Sequence, residues 1–180
     1  MNRILALLLT VLVTPAWSQT LPESFTTGPA IPDHGAVAPQ PEDAFNLVPG
    51  ETYRVVFDVA SGSADEHVLN RRLESVARFV NLHARAGIDP DDLQIEVVTH
   101  GGTLFDVLSR AAYQERFGVA HPNADLLDAL MAAGVTVYLC GQSASARGVA
   151  PDEIAPGIKI AHSAMTVLVR RQAEGWALLP

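Results

Sequence analysis

The chain has 180 residues, 18% charged and 48% hydrophobic, which fits one domain with a sizeable core and excludes global disorder. Its formal net charge is −8 and its sequence pI about 5.1, so it lacks the basic stripe that nucleic-acid binding requires. The one cysteine, Cys140, excludes an intramolecular disulfide and a paired-cysteine zinc site, and the motif for c-type haem attachment is missing.

Residues 1–18 read as a secretory signal peptide. Arg3 supplies a positive start, Ile4 to Val13 an apolar stretch broken only by Thr10, and Ala16 and Ser18 the small residues before a cut at Gln19. The apolar stretch is too short for a comfortable membrane span. The expected location is therefore periplasmic or secreted, with no membrane span after cleavage. A lone thiol in that compartment must pair between chains, stay buried or be used. Residues 19–50 hold six of the twelve prolines and show neither helical nor strand periodicity. They read as an extended arm that Ile31, Val37, Phe45 and Leu47 tack onto a folded unit over residues 51–180.

The folded unit alternates strands and helices. Tyr53 to Val59 is a first strand. Ser63 and Glu66 form a possible capping box, and Leu69, Leu73, Val76 and Val80 recur at helical spacing. Arg71, Glu74 and Arg78 fall on the other side as a solvated ion-pair face, and Gly87 closes the helix. Asp89, Asp91 and Asp92 lack the spacing of a calcium loop and read as a charged turn. Leu93 to Thr99 is a second strand that runs into His100, Gly101 and Gly102. Thr103 is the expected cap of a helix through Leu104, Leu108, Ala111 and Ala112 that ends at Phe117–Gly118. Asn123 is the expected cap of the next helix, which buries Leu126, Leu127, Leu130 and Met131 and stops at Gly134. Val135 to Cys140 is a third strand feeding a short helix. Ile158 to Ile160, a helix after Ser163, and Trp176 to Leu179 complete five strands. This alternation predicts an α/β fold with a mainly parallel sheet covered on both faces.

Parallel strands bring their carboxyl ends to one edge, where open α/β folds bind ligands. The residues expected there are Asp58 or Ser61, His100, Cys140, and His162 or Ser163. Cys140 ends a strand and precedes a helix, so backbone N–H groups and the helix dipole favour its thiolate, the nucleophilic form. A buried, inert cysteine closing a strand is the other reading of the same position. His100 meets Cys140 if the second and third strands are neighbours; it then serves the thiol, or else it only holds the Gly101–Gly102 turn. Glycines there allow close backbone approach by a ligand or by a neighbour. His67, His83 and His121 read as surface or packing residues. Ser143 and Ser145 lack the GxSxG elbow of a hydrolase, and no nicotinamide, flavin or metal signature is present.

Several stretches together resemble the DsrE/DsrF-like family, which includes the sulfur-carrier subunits of sulfur-relay complexes. They are YRVVFDV at the first strand, ARFVNLHARAG with Asn81, HGG at 100–102, HPN at 121–123, LCGQSASARGV around Cys140, and AMTVLVRRQAEGWAL near the end. The resemblance implies a three-layer α/β/α sandwich, assembly into homotrimers or homohexamers, and a persulfide carried on the cysteine matching Cys140. Taken with the strand-edge reading, it leaves Cys140 and His100 as catalytic candidates and Gly101, Gly102, Asn123, Gly141 and Arg147 as binding candidates; no cofactor and no metal is expected. The chain departs from the relay subunits in its expected export and in having no second, resolving thiol. Two functions follow. One is a periplasmic carrier or binder of sulfur compounds that acts through Cys140, with a sulfur donor or acceptor protein as partner. The other is a binding or assembly module in which Cys140 is structural.

Overall fold

A computed structural model describes residues 21–41, 44 and 47–180. The expected signal peptide, its cut at Gln19 and the anchoring residue Phe45 lie outside the described residues. Five strands form one parallel sheet: β1 (Tyr53–Val59), β2 (Leu93–Thr99), β3 (Thr136–Cys140), β4 (Lys159–Ala161) and β5 (Ala177–Leu179). Their spatial order is β4-β3-β2-β1-β5. β1 and β2 pair over their full length, from Tyr53 opposite Leu93 to Val59 opposite Thr99. β3 joins β2 at Glu96–Thr136 through Thr99–Leu139, and β4 joins β3 with Ala161 opposite Cys140. The helices are α1 (Arg71–Arg85), α2 (Arg110–Phe117), α3 (Ala124–Ala132), α4 (Gly141–Arg147) and α5 (Ala164–Ala173).

Side chains alternate across each strand, so the sheet has two unlike faces. Val55, Phe57, Ile95, Val97, Val137 and Leu139 point into the main core, where they meet Leu73, Val76 and Val80 of α1 and Leu126, Leu127 and Leu130 of α3. Val56, Val98 and Cys140 point the other way and pack with Ala164, Val167 and Leu168 of α5 and with Trp176. Among the described residues α5 is the only helix in that second layer. Five strands span about 20 Å and a helix about 10 Å, so one helix covers that face only in part. Glu96, on the same face, is buried beneath α5 and takes a two-pronged ion pair from Arg171, with both nitrogen–oxygen distances 2.6 Å.

Two helix starts, and the side-chain cap of a third, differ from the sequence expectation. α1 begins at Arg71 because Asn70 caps it, accepting from the N–H groups of Arg72 (2.8 Å) and Leu73 (3.3 Å); Ser63 is engaged elsewhere. The helix expected from Thr103 is split. Gly101–Val107 forms a 3-10 turn, and Leu108 is extended and bridges Ile154, so the α-helix restarts after Ser109, whose hydroxyl accepts from the Ala112 N–H at 3.2 Å. The Thr103 hydroxyl instead donates to the Val59 carbonyl at 2.8 Å. Asn123 precedes α3 but caps nothing with its side chain.

The arm is docked rather than loose. Ile31 and Val37 are buried, and Thr26 bridges Val37. Asn81, fully buried on α1, accepts from the Ile31 N–H at 2.8 Å and donates to the carbonyls of Ile31, His34 and Gly35. Arg85 donates to the carbonyls of Thr26, Thr27 and Gly28. The outer side of α1 is therefore not a plain solvated ion-pair face. Arg78 donates to the Ala36 carbonyl and Glu74 accepts from the Gly35 N–H.

Candidate functional site

The carboxyl edge of the sheet gathers Asp58, His100 and Cys140 on adjacent strands. By strand alternation all three belong to the α5 face. Cys140 is both the last residue of β3 and the N-cap of α4. The residue is only 6% exposed. Burial pushes the thiol up, but the Ser143 hydroxyl and the N–H groups of Ala164, Ser143 and Gln142 together hold it below its ordinary value. Those donors come from the first turns of two helices, α4 and α5, whose unsatisfied N–H groups favour negative charge. The geometry thus favours a thiolate and also shields it.

Ser143 links the thiol to the next loop. Its hydroxyl oxygen accepts from the Gly101 N–H at 3.4 Å. The sequence considered Ser143 only as a hydrolase nucleophile. The signal that marks its real place is its position three residues after an N-cap, where a side chain reaches back toward the cap.

His100 is adjacent to Cys140 along the β2–β3 edge, as the sequence expected, but its ring turns the other way. Its Nε2 meets Asp58 Oδ1 at 2.8 Å, across on β1. Among the described residues no hydrogen bond joins His100 to Cys140. The pair Asp58–His100 is about one-third exposed at each side chain, so it forms the open part of this edge.

The glycines serve the protein's own backbone. A Cβ on Gly62 would lie 2.4 Å from the Gly102 carbonyl oxygen, and one on Gly102 2.8 Å from the Gly62 nitrogen. The Gly102 N–H donates to the Ala60 carbonyl at 2.8 Å. Gly101–Gly102 is thus the place where the loops after β1 and β2 touch. Gly141 is likewise tight, since a Cβ there would lie 2.8 Å from the Ala161 carbonyl oxygen. These contacts use up the close approach that the sequence reading offered to a ligand.

Asn123 and Arg147 are not brought to the sulfur. Asn123 is fully buried in a clasp centred on Asp106. It accepts from the Asn70 N–H at 2.7 Å and donates to Asp106 and Ser63 at 3.1 Å. Ser63 and Asn70 also donate to Asp106. Burial raises the Asp106 carboxyl above its ordinary value, and the hydrogen bonds from Ser63, Asn70 and Asn123 oppose this. The clasp ties the loop between β1 and α1 to the start of α3. Arg147 is exposed at the far end of α4, about 10 Å along the helix from Cys140 at 1.5 Å per residue.

The remaining histidines behave as the sequence suggested. His83 and His121 are buried among aromatics, with His121 stacked on Tyr113 at 4.1 Å. His67 is exposed; with Asp65 and Glu66 it forms the one group among the described residues whose ligand atoms could converge on a metal ion.

A five-stranded parallel sheet with a cysteine at the end of β3 and the start of α4 defines an α/β protein with a thiol at its carboxyl edge, and comparison with known proteins gives its family. The model of the DsrE/DsrF-like family matches residues 54–180, and the chain belongs to that family. It is similar to a solved protein of unknown function, MTH1491 from Methanobacterium thermoautotrophicum, with 28% identity and a TM-score of 0.53 over 71% of this chain and 97% of that one. It shares the fold of the ychN protein from E. coli, with 16% identity and a TM-score of 0.53 over 71% of this chain and 98% of that one. No curated protein matches.

Proposed function

We propose that this DsrE-like protein is an exported sulfur carrier that holds sulfane sulfur as a persulfide on Cys140. The family is generally tied to sulfur relay, which supports the class of chemistry. The observation that carries the reading is the seat of Cys140, at once the end of β3 and the N-cap of α4 and packed against Ala164 at the start of α5; there the Ser143 hydroxyl and nearby N–H groups lower the pKa of the thiol. In the loading step the Cys140 thiolate attacks the terminal sulfur of a polysulfide. One sulfur–sulfur bond breaks, another forms, and a polysulfide one atom shorter leaves. An acceptor thiolate then attacks the outer sulfur and returns Cys140 to its thiolate. No external oxidant or reductant enters either step. The donors that favour the thiolate also suit the persulfide anion, which carries the same charge one atom further out.

The second reading, a binding or assembly module with a structural cysteine, is favoured by the 6% exposure of Cys140 and its packing with Val56, Val98 and Ala164. Mass measurement of the native chain after incubation with polysulfide separates the two. Addition of one sulfur atom, absent in Cys140→Ser, supports the carrier. An unchanged mass, with the thiol alkylated only after unfolding, assigns Cys140 to the core. Self-association is part of the proposal. It is supported by the single-helix layer, on which Met165 and Val169 are 73% and 67% exposed. Sedimentation that finds only monomer at high protein concentration would remove it.

A further inference from the structure

Beside α5, over strands β3 and β4, lies an open groove of about 270 Å³. Its polar lining is Tyr138, His162, Thr166, Arg170 and Arg171, and it contains no carboxylate. Lys159 stands at its rim, with its ammonium 5.8 Å from the centre of the Tyr138 ring. This is unusual ground on a chain of net charge −8. The charges in it are unevenly matched. Arg171 is saturated by Glu96 and Glu174. Arg170 is 71% exposed and meets only Glu174, at 3.3 Å, a surface pair that constrains it little. Lys159 has no ion pair among the described residues. The Tyr138 hydroxyl and the His162 ring likewise have no hydrogen-bond partner there.

We infer that this groove binds a small tetrahedral oxyanion of the sulfate or phosphate type. Donors reach it from three elements: Tyr138 from β3, His162 from the end of β4, and Arg170 from α5. Donors arriving from several directions can each meet a different oxygen of a tetrahedral anion, whereas a planar carboxylate offers two oxygens in one plane. Arg171 is held by Glu96 and Glu174, Arg170 shares Glu174 only at 3.3 Å and is free to turn to a ligand, and Lys159 adds a cation with no ion pair among the described residues. Ala161, on the groove floor, is the register partner of Cys140, so the anion sits one strand from the thiol. The inference does not depend on that thiol reacting.

The test is calorimetric titration of the full chain with inorganic sulfate and phosphate, with acetate for comparison, in dilute chloride buffer. Saturable binding of the tetrahedral anions is expected, weakening as ionic strength rises. Arg170→Gln and Tyr138→Phe should each weaken it about tenfold, the effect of one hydrogen bond to a charged partner; Lys159→Gln should weaken it less. Arg110→Gln, an exposed arginine on another surface, and Cys140→Ser should bind like the parent chain. Absence of saturable binding, equal affinity for acetate, or unchanged affinity in both Arg170→Gln and Tyr138→Phe would overturn the inference. Failure here would leave the persulfide test untouched, because that test reads a mass on Cys140.

Discussion

Removing the Ser143 hydroxyl tests the proposed activation of Cys140, and it also removes the acceptor of the Gly101 N–H. The Ser143 hydroxyl and the N–H groups of Gln142, Ser143 and Ala164 lower the pKa of the thiol, and Ser143→Ala removes the hydroxyl while leaving those N–H groups in place. A hydrogen bond to a charged acceptor contributes about 1.5–3 kcal/mol. Water replaces part of it in the cavity left behind, so the net loss is about 1.4 kcal/mol, or tenfold in thiolate population below the thiol pKa. The assay is the rate of iodoacetamide alkylation of native protein across pH. The midpoint of the Ser143→Ala profile should move up, and its rate near neutral pH should fall about tenfold relative to the parent. At high pH the two rates should converge, with the variant slightly faster because a more basic thiolate is more nucleophilic. Ser143→Thr restores the hydroxyl and should restore the profile. His100→Ala should leave the profile in place, because the imidazole is held by Asp58 and not by the sulfur. Superimposable profiles for Ser143→Ala and parent would refute the reasoning.

His121 should make the fold acid-sensitive. Burial lowers its pKa from 6.5 to about 4, so between these values the unfolded chain binds more protons than the native one, and stability falls as pH falls. The full contribution is about 3 kcal/mol. Denaturant titrations at pH 7 and pH 4 should show a loss of this order that His121→Gln reduces, and an equal loss in both chains would count against the assignment. Asp106→Asn should destabilise by about 2–4 kcal/mol, because an amide nitrogen would face donors from Ser63, Asn70 and Asn123 and leave buried groups unpaired. A midpoint of chemical unfolding that does not move would show the clasp to be dispensable.

The parts of this protein that were legible in sequence are those fixed by local pattern. Apolar runs bounded by turn residues gave five strands, and alternation with helices gave a parallel sheet. The position of Cys140 was legible for the same reason. A cysteine between TVYL and GQSASAR is a strand end and a helix start at once, and both are local properties. What was not legible depended on partners distant in sequence. Ser63 and Glu66 have the spacing of a capping box, yet Ser63 is claimed by Asp106, 43 positions away. Thr103 could cap a helix, but the Val59 carbonyl claims its hydroxyl. Asn123 has the chemistry of a cap or of a ligand donor, and a contact to Asn70, 53 positions away, decides against both.

His100 is the sharpest case. Its strand position was readable, and it does lie beside Cys140. Its ring direction was not readable, because Asp58 on the far strand competes for it and wins at 2.8 Å. This division changes what each residue can do. The thiol is controlled by groups within its own strand–helix junction and by the start of α5. Asp58 and His100 form a separate, more exposed pair on the same edge. In the neutral ring, donation of Nε2–H to Asp58 leaves Nδ1 as an acceptor. An incoming acceptor thiol could therefore lose its proton to His100 while Cys140 holds the sulfur. Discharge of a loaded persulfide to a small thiol should then slow in His100→Ala and in Asp58→Asn, while loading proceeds at the parent rate. Both steps can be followed by mass on one sample. Equal slowing of loading and discharge would place His100 with Cys140 after all, and no slowing of either would reduce the Asp58–His100 pair to a brace for the loops that meet at Gly102.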